Sequence, residues 1–135
     1  MKSLVVDPSV TAQRVVANLL RRAGCDEVLA AAGLTEALKH WEDESLPTID
    51  LVVTEWDLAE GTGLELVKQL KQRPEESRPS LLMHTARNAR EEVLEAIEAG
   101  VDGYVLKPPD PGTLTAKIDQ LLEPARQAAA NDAAA

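Results

Sequence analysis

Asp7, Glu55 and Lys107 each follow a short apolar run: Leu4-Val5-Val6, Leu51-Val52-Val53-Thr54 and Tyr104-Val105-Leu106. A fourth polar residue, Thr85, follows the run from Ser80 to His84. A run of this length reads as a buried strand, and a strand carries the residue after it to one edge of a sheet. Two carboxylates, an ammonium and a hydroxyl at a common edge make one shared site. At its simplest, Glu55 and Lys107 form an ion pair that ties two strand ends together. In that simplest reading Thr85 only satisfies backbone groups. Other reactive residue types carry less. His84 reads as structural, because no second His or Cys is spaced to share a metal with it. His40 reads as surface and Trp41 as core. Cys25 reads as a small residue in a helix-to-strand connection.

The elements that must position these residues alternate regularly. Strands are expected at Leu4–Val6, Glu27–Ala31, Ile49–Thr54, Ser80–His84 and Asp102–Leu106. Between them apolar residues recur at helical spacing: Ala12, Val15, Val16, Leu19, Leu20 and Ala23, then Leu34, Ala37, Leu38 and Trp41, then Leu64, Val67 and Leu70, then Ala89, Val93, Ala96 and Ile97, and last Leu114, Ile118, Leu121 and Leu122. Gly24, Pro47, Pro74 and Gly100 close the first four of these patterns. The strands show little polar alternation, so both faces are expected to be buried and the sheet parallel. The prediction is an α/β fold, a doubly wound (βα)5 sandwich of three layers with a five-stranded parallel sheet in the middle. A site in such a fold lies at the carboxyl ends of the strands, near the switch in strand order. Asp7, Glu55, Thr85 and Lys107 all fall there. Asp7-Pro8 also reads as a helix start, with Asp7 near the N-cap and Pro8 at the first helical position.

The bulk composition sets limits. A chain of 135 residues, 44% of them apolar, suits one domain with one core. Aromatics are 2% and Phe is absent, so that core must be aliphatic. The formal net charge of −9 would repel a phosphate backbone, which argues against nucleic-acid binding. No apolar run approaches the roughly 20 residues that span a bilayer, and no signal peptide is expected. The single cysteine rules out an intrachain disulfide and suits a reducing cytoplasm. Residues 1–123 are expected to form the domain. The Ala-rich stretch 124–135 is expected to be a frayed helix end or a disordered tail.

Taken in order, these motifs resemble the receiver domain of bacterial response regulators, the CheY-like branch of the flavodoxin-like folds, over residues 2 to about 122. Receivers carry two acids after the first strand; Val5-Val6-Asp7-Pro8 keeps one and replaces the other with Pro8. Glu55 stands where the phosphoacceptor Asp ends the third strand. Asp57 stands where a backbone carbonyl binds metal. Leu58-Ala59-Glu60-Gly61-Thr62-Gly63 lacks the usual loop proline but keeps a glycine, Gly63. Thr85-Ala86 matches the hydroxyl that contacts the phosphoryl group. Gly103-Tyr104-Val105-Leu106-Lys107-Pro108 matches the switch aromatic and the Lys-Pro pair.

The resemblance implies phosphoryl transfer to a carboxylate at Glu55, with Thr85 and Lys107 around it and Mg2+ held by Asp7, Glu55 and Asp57. Two departures bear on it. Pro8 removes a metal ligand, so Mg2+ binding is expected to be weak at best, relieved only if Asp57 turns inward. Glu55 is one methylene longer than Asp, which moves its carboxylate by roughly 1.5 Å, and in-line geometry tolerates such displacement poorly. The longer arm could bring a negative oxygen nearer Lys107 and Thr85, imitating a phosphoryl group in part. The expectation is an atypical receiver, not an enzyme: a protein-interaction module independent of phosphorylation, cytoplasmic, and a monomer or weak homodimer. The alternative is a working phosphoacceptor at Glu55 or Asp57 with weak Mg2+ dependence. A flavin- or nucleotide-binding role is disfavoured, since Asp7-Pro8-Ser9-Val10 has no glycine-rich phosphate cradle.

The resemblance also implies an output face made by the fourth helix, fifth strand and fifth helix. Arg90, Val93, Ile97, Tyr104, Leu106 and Lys117 would lie on it, with Val93 and Ile97 as a small apolar patch and Leu94 and Ala96 turned to the core. Its partners would be proteins, a histidine kinase or a downstream regulator.

Overall fold

The five apolar runs form strands β1 (Lys2–Val6), β2 (Glu27–Ala31), β3 (Leu51–Thr54), β4 (Ser80–Thr85) and β5 (Gly103–Leu106). The structure is a computed structural model, and it describes residues 1–43 and 47–134. Helices α1 (Val10–Arg22), α2 (Leu34–Leu38), α3 (Gly63–Leu70), α4 (Arg90–Ala99) and α5 (Pro111–Ala134) alternate with the strands. Short 3-10 turns lie at Lys39–Trp41 and Glu75–Ser77. Every strand pairing is parallel, in the order β2-β1-β3-β4-β5. The chain leaves β1 to one side for β2, then crosses to the other side for β3. The switch in order therefore falls between β1 and β3, the strands that end at Asp7 and Glu55.

Pleating sends alternate side chains of each strand to opposite layers. Val5, Leu51, Val53, Leu82 and Val105 meet Val16 and Leu20 of α1 and Leu114, Ile118, Leu121 and Leu122 of α5. Leu4, Val6, Val52, Leu81 and Met83 meet Ala37 of α2, Leu66, Val67 and Leu70 of α3, and Ala96 of α4. The core is thus two aliphatic layers sharing one sheet, as a chain without Phe requires. Trp56, just past β3, closes the second layer at 7% exposure. Full burial of each Leu or Val contributes about 1.5–3 kcal/mol, so the layers dominate folding.

Two local expectations are corrected. Helix α1 begins two residues later than Asp7-Pro8 suggested: Ser9 is the N-cap, its Oγ accepting the Ala12 N–H at 3.2 Å, and Pro8 precedes the cap. Asp7 instead accepts the Ser9 N–H at 2.8 Å, a local turn that presents its carboxylate. The Ala-rich stretch continues α5, which runs on through Pro124 to Ala134. Alanine is the best helix former, and Arg126 fastens the segment by donating to the Ala23 carbonyl at 2.7 Å and the Asp119 carboxylate at 2.9 Å. On α4, Leu94 is exposed and Val93 half-buried, while Ala96 is fully buried. The inward stripe of this helix runs through Ala96 and Ala99, and a helical turn carries Leu94 and Ile97 off it.

Candidate functional site

Lys107 reaches across the carboxyl edge of the sheet and binds both acids. Its Nζ lies 2.6 Å from Asp7 Oδ2 and 3.1 Å from Glu55 Oε1. The three side chains are largely removed from water, at 21% exposure for Lys107, 5% for Asp7 and 13% for Glu55. One ammonium between two carboxylates leaves the cluster net negative. Burial opposes the charge on Lys107, but the hydrogen bonds to Asp7 and Glu55 outweigh it and raise its pKa above the ordinary lysine value. A raised lysine stabilises the fold fully below its unfolded pKa, about 10.4, and that support is lost as pH rises through the folded value.

The second oxygen of Glu55 turns back on its own loop. Glu55 Oε2 accepts the N–H of Trp56, and the N–H of Asp57 lies 3.4 Å away, near the limit of such a contact. Glu55 thus holds its carboxylate over the amides that follow it. The loop itself is fixed at several points. Gly63 N–H bonds the Trp56 carbonyl at 2.8 Å, and a Cβ at Gly63 would stand 2.1 Å from the Glu55 carbonyl, so only glycine fits under the site. Glu60 fastens the far side to α2, its carboxylate accepting from Thr35 N–H at 2.8 Å and Thr35 Oγ1 at 2.6 Å.

The Thr85 hydroxyl accepts the Arg87 N–H at 3.3 Å, and among the described residues no hydrogen bond joins it to Glu55. Asp57 points its carboxylate away from Lys107. Arg87 takes both of its oxygens, Nε to Oδ2 at 2.8 Å and a terminal nitrogen to Oδ1 at 2.6 Å, and holds the Asp57 pKa below the ordinary aspartate value. The Arg87 contact was not foreseen. Its only signal in the sequence is an offset: Asp57 and Arg87 each stand two residues beyond a strand-end residue, and the two strands prove to be neighbours.

Comparison with known proteins decides what this edge belongs to. The profile of the response regulator receiver domain matches residues 4–119. The chain belongs to the receiver-domain family. A chemotaxis protein CheY homolog of Campylobacter jejuni is 37% identical over 125 residues, covering 90% of this chain and 92% of the relative. CheY-3 of Vibrio cholerae is 37% identical over 123 residues, covering 91% and 92%. The solved structure of CheY4 of Vibrio cholerae is similar with a TM-score of 0.77 at 29% identity, over 90% of this chain and 98% of that one. A putative response regulator of Chloroflexus aurantiacus gives 0.78 at 28%, over 90% and 97%. Membership places this receiver among the proteins of two-component signalling.

Protein donors already engage every carboxylate oxygen of Asp7, Glu55 and Asp57. Asp7 gives one oxygen to Lys107 and the other to Ser9 N–H; Glu55 gives one to Lys107 and one to Trp56 N–H; Asp57 gives both to Arg87. Pro8 brings no side-chain oxygen. Among the described residues no three His, Cys, Asp or Glu side chains are grouped to hold an ion.

His84 lies in the layer beneath Lys107, 4% exposed, with Nε2 unpartnered. Burial first, and the Lys107 charge second, lower its pKa to about 4. The folded receiver therefore resists a proton that the unfolded chain takes up near pH 6.5. Its contribution should diminish stability as pH falls from about 6.5 towards 4, and urea titrations across that range should show His84→Leu with the smaller fall.

On the output side, Arg90 is exposed, Tyr104 and Lys117 are half-buried, and the exposed apolar residues are Leu94, Ile97 and Leu106 at 46%, 54% and 46%. On α4 Leu94 and Ile97, one turn apart, are the most exposed apolar residues, with Val93 half-buried.

Proposed function

We propose that this receiver is a protein-interaction module whose pocket is held by its own glutamate, without ordinary aspartyl phosphorylation, without Mg2+ and without enzymatic turnover. One observation carries the reading: both oxygens of Glu55 are already engaged, one by Lys107 and the other by the Trp56 amide. Those are donors that an incoming phosphoryl group would need. A carboxylate brings one negative charge where a phosphoryl group brings about −1.5 to −2, so the imitation is partial but permanent.

Output passes through the face of α4, β5 and α5, where Leu94, Ile97 and Leu106 offer apolar contact with Arg90 at the rim. The partner is a protein, a histidine kinase or a downstream regulator, in the cytoplasm. The net charge of −9 disfavours nucleic acid. The receiver acts as a monomer or weak homodimer.

Beryllofluoride, the activating group in a solved DrrB receiver, supplies the test. Trp56 is buried beside Glu55 and reports on the pocket. Beryllofluoride with Mg2+ should leave the tryptophan emission unchanged. A saturable change with Mg2+ dependence would overturn the reading.

A further inference from the structure

Arg87 joins three parts of the molecule that a receiver must coordinate. Its guanidinium forks onto both oxygens of Asp57, past the end of β3, at 2.8 and 2.6 Å. The remaining terminal nitrogen binds Glu92 in the first turn of α4. The guanidinium carbon lies 5.3 Å from the centre of the Trp56 ring. The backbone of the same residue is held as well, its N–H on Thr85 Oγ1 and its carbonyl accepting the Tyr104 hydroxyl at 2.7 Å. Tyr104 packs against the core layer shared with α2, α3 and α4.

We propose that the Arg87 side chain is a built-in latch that holds the β4–α4 connection closed and Tyr104 inward, separate from the Glu55–Lys107 pair. A planar guanidinium fixed by a bidentate carboxylate and an aromatic face has little freedom to swing. With the side chain pinned on two elements, the Arg87 carbonyl stays where Tyr104 meets it. The two devices differ in setting. The Glu55–Lys107–Asp7 cluster is mostly buried, whereas Asp57 and Arg87 are 62% and 39% exposed. The latch is therefore the part open to salt, and to a partner that competes for Asp57 or Arg87. The inference rests on the reading of Glu55 above, but acts through different atoms and can fail alone.

The chain contains one tyrosine, so 3-fluorotyrosine gives one 19F resonance, that of Tyr104. In the native receiver it should be a single narrow line. Arg87→Ala and Asp57→Ala should each shift or broaden it in the same way, and the double variant should add nothing further. Arg87→Lys, a cation without the fork, should restore it only in part. About 1 M salt, which cuts the screening length to roughly 3 Å, should move the native line towards that of Arg87→Ala. Glu55→Gln should move it less than Arg87→Ala does. An unmoved line in Arg87→Ala, or different and additive shifts in the two alanine variants, would overturn the latch. So would a Glu55→Gln shift as large as that of Arg87→Ala. Should Arg87→Ala not fold, Asp57→Ala and the salt series decide. Phosphorylation of Glu55 would sink the earlier reading and leave these comparisons intact.

Discussion

Lys107→Met should destabilise the receiver by about 3–5 kcal/mol, the usual penalty for removing one partner of a buried ion pair. The lysine is the cation between Asp7 and Glu55, at 2.6 and 3.1 Å. Without it two carboxylates face each other in a space with little water, and the hydrogen bonds from Ser9 and Trp56 do not offset a missing charge. Most of the loss should return when the acids are neutralised with the lysine, in Asp7→Asn/Glu55→Gln/Lys107→Met. Urea unfolding of the native, single and triple variants separates the two contributions. A single variant as stable as the native protein would mean that the cluster is solvated and contributes little.

The second large effect is a gain. Glu55→Asp combined with Pro8→Asp should restore Mg2+ binding and phosphorylation. Shortening residue 55 withdraws the carboxylate by roughly 1.5 Å from the amide it now occupies. Placement of a reacting oxygen within 1 Å is worth on the order of 10²-fold in rate. Asp at position 8 supplies the ligand that proline lacks, and Pro8 lies outside α1, so the helix is not asked to change. Either substitution alone should recover less, since one restores the acceptor and the other the metal. Calorimetry with Mg2+ and labelling with acetyl phosphate measure the two gains. A folded double variant that gained neither would place the cause beyond these two positions.

Much of this was legible in the sequence because the strands are short apolar runs with charges behind them. Leu4–Val6 and Leu51–Thr54 are buried on both faces, so composition marked them without help from topology. The meeting of Asp7, Glu55 and Lys107 follows once five parallel strands end at one edge. Contacts that depend on strand neighbours were not legible. Arg87 finds Asp57 only because β3 lies beside β4. Direction within a helix was equally hidden on α4, where Leu94 and Ala96 are both apolar and only packing turns one out and the other in. Pro124 is a further case. Proline usually ends a helix, but here Ala-rich sequence and the Arg126 anchor to Ala23 carry α5 past it.

In the proposed function, Glu55 occupies the pocket and leaves no acceptor to phosphorylate. Intact-mass measurement after incubation with acetyl phosphate and Mg2+ tests it most directly, with the Glu55→Asp/Pro8→Asp variant alongside as the positive control. The native chain should keep its mass while the variant gains about 80 Da, one phosphoryl group. A stable adduct on the native chain, mapped to Glu55 or Asp57, would contradict it.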